Sequence, residues 1–166
     1  MQISRRSVAI AGLVGGVGLI AYALFGRASD EERIRQQLDR FAHVVGVDGQ
    51  ENPIFRLSRL NKEFDTLVTP DVRAHVPELT SLQQGRGPLA KVAAHAGSYF
   101  QSADVSLSDI SIEVSKDRLR ASSRGRAKLL AQQGGQMRRD ERRVDFTLSR
   151  SDGEWLIDSL RVGDAE

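Results

Sequence analysis

Apolar positions change period along this chain, and the changes divide it. Residues 7 to 26 carry no charge at all. From about residue 30 to 100 apolar side chains recur every three or four positions, the spacing of one helix face, and from Ala103 onward they recur every second position, the spacing of one strand face. The pattern therefore predicts an apolar segment, then helices, then strands.

The first helix is predicted from Ser29, an N-cap with Glu32 three residues on completing a capping box, and Ile34, Leu38, Phe41, Val44 and Val45 form its stripe before Gly46, Asp48 and Gly49 break it. After Asn52-Pro53, residues 54 to 67 place Ile54, Leu57, Leu60, Phe64 and Leu67 on a second helical face, which Thr69-Pro70 ends. A short extended piece, Val72 to Val76, stops at Pro77, and a polar loop runs through Gln83, Gln84, Gly85, Arg86 and Gly87. Pro88 suits the first turn of a third helix, whose apolar positions are Leu89, Val92, Ala93, Ala96 and Phe100.

In the strand region, Val105 and Leu107 hold one phase while Ile110, Ile112 and Val114 hold the other. A β-bulge is predicted near Ser108-Asp109. Beyond a turn at Ser115 to Asp117, small or apolar residues from Leu119 to Leu129 alternate with Arg118, Arg120, Ser122, Arg124, Arg126 and Lys128. Gln133-Gly134-Gly135-Gln136 and Ser151-Asp152-Gly153 are hairpin signals. Val144, Phe146 and Leu148 share a side between them, and the last strand, Glu154 to Val162, reads as apolar on both faces. Helices followed by a bent antiparallel meander define an α+β domain over residues 29–166, with three helices packed on a curved antiparallel sheet.

The charge-free run is 20 residues long, from Ser7 to Gly26, and as a helix it would reach about 30 Å, the hydrocarbon thickness of a bilayer. It follows Ser4-Arg5-Arg6 and precedes Arg27 and the acidic cluster Asp30 to Glu32. Residues 1–28 are therefore expected to be a transmembrane anchor of a bacterial inner membrane, with Arg5 and Arg6 cytoplasmic and the domain periplasmic or extracellular. A cleaved twin-arginine signal is the alternative, which would leave an exported soluble protein. The run exceeds the usual core of a signal peptide, which favours the anchor. Gly12 and Gly16 form a small-residue pair through which such a helix could contact another.

Composition removes several chemistries. The chain has no cysteine, so it has neither disulfides nor thiolate ligands. No cofactor and no metal site is expected. A net charge of +2 conceals a basic stretch: Arg118, Arg120, Arg124, Arg126, Lys128, Arg138, Arg139, Arg142 and Arg143 stand against only Asp140 and Glu141. On a sheet face these nine would form a strip suited to an acidic protein partner or anionic lipid. No aromatic residue interleaves with the strip as a stacking platform, which argues against nucleic acid.

The helix pair, the short strand before Pro77, the Gly85-Arg86-Gly87 lead into a third helix, the bulged strand and the ending Arg150-Ser151-Asp152-Gly153-Glu154-Trp155-Leu156-Ile157 resemble the nuclear transport factor 2-like superfamily. The resemblance covers about residues 29 to 162 and implies a conical α+β roll, its sheet curling around a pocket roofed by helices. It says little of function, because the superfamily includes isomerases, dehydratases, polyketide cyclases, transport factors and envelope-complex subunits. An enzyme of this kind would need an acid or base inside the cone. His75, His95, Tyr99 and Asp104 are the candidates, with His43 near the end of the first helix; none matches a family catalytic motif. Asp158 is expected as a buried carboxylate paired with Arg143 or Arg161. The reading these residues favour is a membrane-tethered, non-catalytic binding or assembly module of an envelope complex, partnered by another envelope protein or by its own copy. The alternative is a small-molecule isomerase, dehydratase or cyclase.

Overall fold

The computed structural model describes residues 29–49, 51–77 and 83–165. Three helices, α1 (Asp30–Val45), α2 (Pro53–Leu67) and α3 (Arg86–His95), pack on one six-stranded sheet made of β1 (Val68–His75), β2 (Gln83–Gln84), β3 (Ser102–Val114), β4 (Arg120–Gln133), β5 (Gln136–Ser151) and β6 (Glu154–Ala165). The strand order is β2-β1-β6-β5-β4-β3. The apolar run from Ser7 to Gly26, with Gly12 and Gly16, lies outside the described residues. Among those described, no helix is long and apolar enough to cross a membrane.

Local chemistry sets the helix ends. Ser29 Oγ accepts from Glu32 N at 3.1 Å, so half of the expected capping box forms, while the Glu32 carboxylate accepts from Gln36 instead. Asn52 caps α2 by accepting from Ile54 N at 2.9 Å, with Pro53 at the first helical position. The hairpins are as tight as their sequences imply. Gly134 and Gly135 have φ of 59° and 79°, and Asp152 and Gly153 have 52° and 86°, the two left-handed residues a type I′ turn requires.

The bulge on β3 falls where the face switch places it. Register with β4 shifts between Ser108 and Ser111, and Asp109 takes a φ of 54°. Gly125 makes the bulge possible: a Cβ there would lie 2.3 Å from Ile110 Cδ1 and 2.9 Å from the Ser108 carbonyl oxygen.

Three expectations are corrected. The sheet is mixed, because β1 runs parallel to β6, with Ala74 opposite Leu160 and His75 opposite Arg161. Gln83 and Gln84 form a strand pairing Ala74 and Arg73, where sequence suggested only loop. The last strand is not apolar on both faces: Trp155, Ile157, Leu160 and Val162 pair with Arg150, Leu148, Phe146 and Val144, while Ser159 and Arg161 pair with Thr147 and Asp145 on the other face.

The core fills the space between helices and sheet. Ile34, Leu38 and Phe41 from α1 and Leu60, Phe64 and Leu67 from α2 meet Phe146, Leu148, Trp155 and Ile157 from the sheet, all buried. Phe41 stacks on Phe64 at 5.8 Å and meets Phe146 edge-on at 6.3 Å.

Candidate functional site

Two places in this fold could hold chemistry: the interior of the cone and the face of the sheet turned away from the helices. The interior is packed with the apolar residues just named. The buried polar or charged residues among those described are Asp30, Arg56, Thr69 and Ser123.

Asp30, in the first turn of α1, is 7% exposed. Its Oδ2 accepts from Arg118 Nε at 2.6 Å, its Oδ1 accepts from the Trp155 indole at 3.3 Å, and Arg150 Nη1 lies at 3.6 Å. Burial pushes the Asp30 carboxyl up, but the hydrogen bonds from Arg118 and Trp155 and the charges of Arg118 and Arg150 outweigh it and hold the group below the usual carboxylate range. A carboxylate held in this way is a poor general base. It ties the start of α1 to the β3–β4 turn and the β5–β6 hairpin.

Arg56 is 1% exposed and lies inside the helical layer. Its guanidinium donates to the carbonyls of Val45 at 3.0 Å, Gly46 at 2.7 Å and Ala93 at 3.1 Å, which closes the C-terminus of α1 and joins it to α3. Glu51 lies 3.5 Å away, itself held by Arg59 at 2.7 and 2.8 Å, and the hydrogen bond from Arg59 lowers its pKa. Burial lowers the Arg56 pKa from its high ordinary value. Sequence reading placed Ile54 on the buried face of α2, yet Ile54 is 78% exposed and Arg56 takes that face. The signal was present, since Arg56, Leu60 and Phe64 are spaced by four.

The Ser123 hydroxyl is fully buried and unpartnered beside its register neighbours Phe146 and Ile112. At the far end of the inner face Arg142 Nε donates to Asp140 at 2.7 Å.

The sequence candidates for acid or base lie elsewhere. His75, His95, Tyr99 and Asp104 are all exposed, as is His43. His75 points outward because Ala74, its neighbour on β1, points in. Asp104 is on β3, three strands beyond β6 from β1, so the two do not meet. His95 and Tyr99 are neighbours, their rings 5.1 Å apart and edge-on, on the exterior. Asp158 is half-buried and accepts from Ser149 Oγ at 2.9 Å, where an arginine partner was expected.

The nine basic residues do not form one uniform strip. On the face away from the helices, Arg124 stands opposite Asp145 and Lys128 opposite Glu141, while Arg126 stands opposite Arg143 and also reaches Glu141 at 3.2 Å. Arg120 and Arg139 share that face. Arg138 and Arg142 alternate to the other, opposite Ala131 and Ala127, and Arg118 turns back to Asp30. The result is a lattice of mixed charge. No cluster of potential metal ligands occurs among the described residues.

The helical layer on a strongly curved sheet, with β1 returning parallel beside β6, defines a nuclear transport factor 2-like roll. A family model for the SnoaL-like domain matches residues 26–161, and the chain belongs to that family. Solved structures share the fold at low identity. A candidate scytalone dehydratase from Novosphingobium aromaticivorans is 14% identical, with a TM-score of 0.61 over 82% of this chain and 84% of its own. A Kribbella flavida protein is 11% identical, with a TM-score of 0.66 over 82% and 93%. A Xanthomonas campestris protein named as a candidate calcium/calmodulin-dependent kinase association domain is 13% identical, with a TM-score of 0.62 over 81% and 87%. No curated protein matches the sequence.

Proposed function

We propose that this chain is a membrane-tethered, non-catalytic binding or assembly module of a bacterial envelope complex, held by residues 7–26 and working through its surface. One observation carries the reading: the cone is filled by Ile34, Leu38, Phe41, Phe64, Phe146, Trp155 and Ile157, none more than 5% exposed. Of the buried polar groups, Asp30 and Arg56 are occupied by structural partners, and the two hydroxyls, Thr69 and Ser123, are not acids or bases near neutral pH. Isomerisation, dehydration or cyclisation at this interior would need a free acid or base beside a space for substrate. The solved relatives at 14% identity or below inform the fold alone.

Fractionation and labelling of the full chain test the proposal. The domain is expected to resist labelling from the cytoplasm and to stay with membranes after a high-salt wash. Release into the soluble fraction would overturn the tether, cytoplasmic labelling would overturn export, and turnover of a small substrate dependent on an interior residue would overturn the non-catalytic role.

A further inference from the structure

The face of the sheet turned away from the helices carries a trough of about 720 Å³. Its floor follows from strand register. Glu113 stands opposite Ser122, Ser122 opposite Thr147, Thr147 opposite Ser159, and Ser159 opposite Arg73. One row across five strands therefore carries three hydroxyls between a carboxylate and a guanidinium; Glu113, Ser122, Thr147 and Arg73 of this row line the trough, and Ser159 shares a hydrogen bond of 2.7 Å with the Thr147 hydroxyl. At about 4.8 Å between strands the row spans roughly 19 Å. A second row sets Arg120 beside Ser149, and the register break between Thr147 and Leu148 leaves Asp158 on this side, accepting the Ser149 hydroxyl at 2.9 Å.

The lining chemistry narrows the ligand. Two guanidinium groups, Arg73 and Arg120, stand among three carboxylates, Asp71, Glu113 and Asp158, so the trough is close to neutral and does not select an anion. Asp71, Arg73 and Glu113 make no ion pair with any described residue, which leaves them able to bond a ligand. Arginine only donates, carboxylate only accepts, and the central hydroxyls do both. The complement is a ligand whose own groups both donate and accept along its length while carrying no charge. A strand-like peptide is a poorer match, because peptides recognised by sheets take backbone bonds from an edge and side-chain pockets. Here the surface is a face, and its polar groups are side chains.

We propose that this trough binds a short, neutral, hydroxyl-rich oligosaccharide; the inference rests on the binding-module reading and names its ligand class. The site lies on the opposite side of the sheet from the cone interior.

The test uses the full chain in a zwitterionic detergent without sugar headgroups, with chitotetraose and cellotetraose as probes and pyrophosphate and a glycine-serine hexapeptide as controls. The expected result is saturable binding of a tetrasaccharide that is insensitive to added salt, with amide shifts at Ser122, Thr147 and Ser149. The double variant Ser122→Ala, Thr147→Val should weaken it about tenfold, the loss of two hydrogen bonds of ordinary strength, with the fold retained and only the exposed Thr147–Ser159 hydrogen bond lost from the free protein. Failure of both sugars to bind, or preference for pyrophosphate or the peptide, would overturn the inference and leave the module reading standing. Cleavage or rearrangement of a bound sugar would leave the trough assignment standing and overturn the non-catalytic reading.

Discussion

Asp30 and Trp155 meet from opposite ends of the domain sequence, the indole Nε1 donating to the Asp30 carboxylate at 3.3 Å. The first residue of α1 is thereby fixed to the start of β6. Arg118 completes the contact from the β3–β4 turn, in a left-handed conformation with φ of 57°.

Asp30→Ala should therefore destabilise the domain by about 1–3 kcal/mol at neutral pH, the penalty for leaving the buried indole N–H without its acceptor and losing a charge-assisted bond. The sign of the pH effect follows from the lowered pKa. The contribution is fully present above the ordinary carboxyl value of 3.8 and disappears as pH falls through the lower folded value. Urea denaturation of wild type and variant should thus differ at pH 7 and converge in strong acid. Equal stability at pH 7 would remove Asp30 from the account.

Arg56 holds three carbonyls that no helix hydrogen bond satisfies in its absence. Arg56→Ala should cost about 3–5 kcal/mol, since it strands those acceptors in a buried layer and removes one of the two guanidinium groups beside Glu51. Thermal melting checks this, and Arg59→Ala, whose side chain is 39% exposed, should cost much less. Comparable losses in the two variants would contradict the assignment of Arg56 as the buried tie between α1 and α3.

Ser123→Ala is expected to go the other way. The variant removes a hydroxyl that is buried without a partner and should stabilise the domain by about 1 kcal/mol. A clear loss of stability would mean that the hydroxyl has a partner in solution. Loss of a measurable activity would give the interior a chemical role.

Gly125→Ala should destabilise by about 1–3 kcal/mol, because the added methyl overlaps Ile110 at the bulge. Gly87→Ala, with nothing within 4 Å, is the control. If both variants melt alike, the bulge does not depend on Gly125.

The parts of the fold that sequence made legible are those set by local rules. The phase switch around Ser108-Asp109 is a bulge, and Gly134-Gly135 and Asp152-Gly153 are tight turns, because period and left-handed backbone are written in neighbouring residues. What sequence did not reveal depends on distant partners. Parallel pairing of β1 with β6 joins residues more than 80 positions apart, and Gln83-Gln84 forms a strand only because β1 offers an edge. Asp30 read as one member of an acidic cluster and Arg56 carried no reading of its own, since nothing adjacent announces Trp155 or the carbonyl of Ala93 as a partner. The candidate acids and bases were chosen for residue type, and strand alternation together with helix phase turned them outward.

The central claim is that the cone is a packed core rather than a substrate chamber. Its most direct test is a titration of the methyl-labelled full chain in mild detergent with a small aromatic probe such as 2-naphthol, following the methyl resonances of Ile34, Leu38 and Ile157. These three side chains are fully buried, and no saturable shift is expected at any of them. Saturable shifts concentrated on these methyls would show an interior open to ligand and would contradict the account.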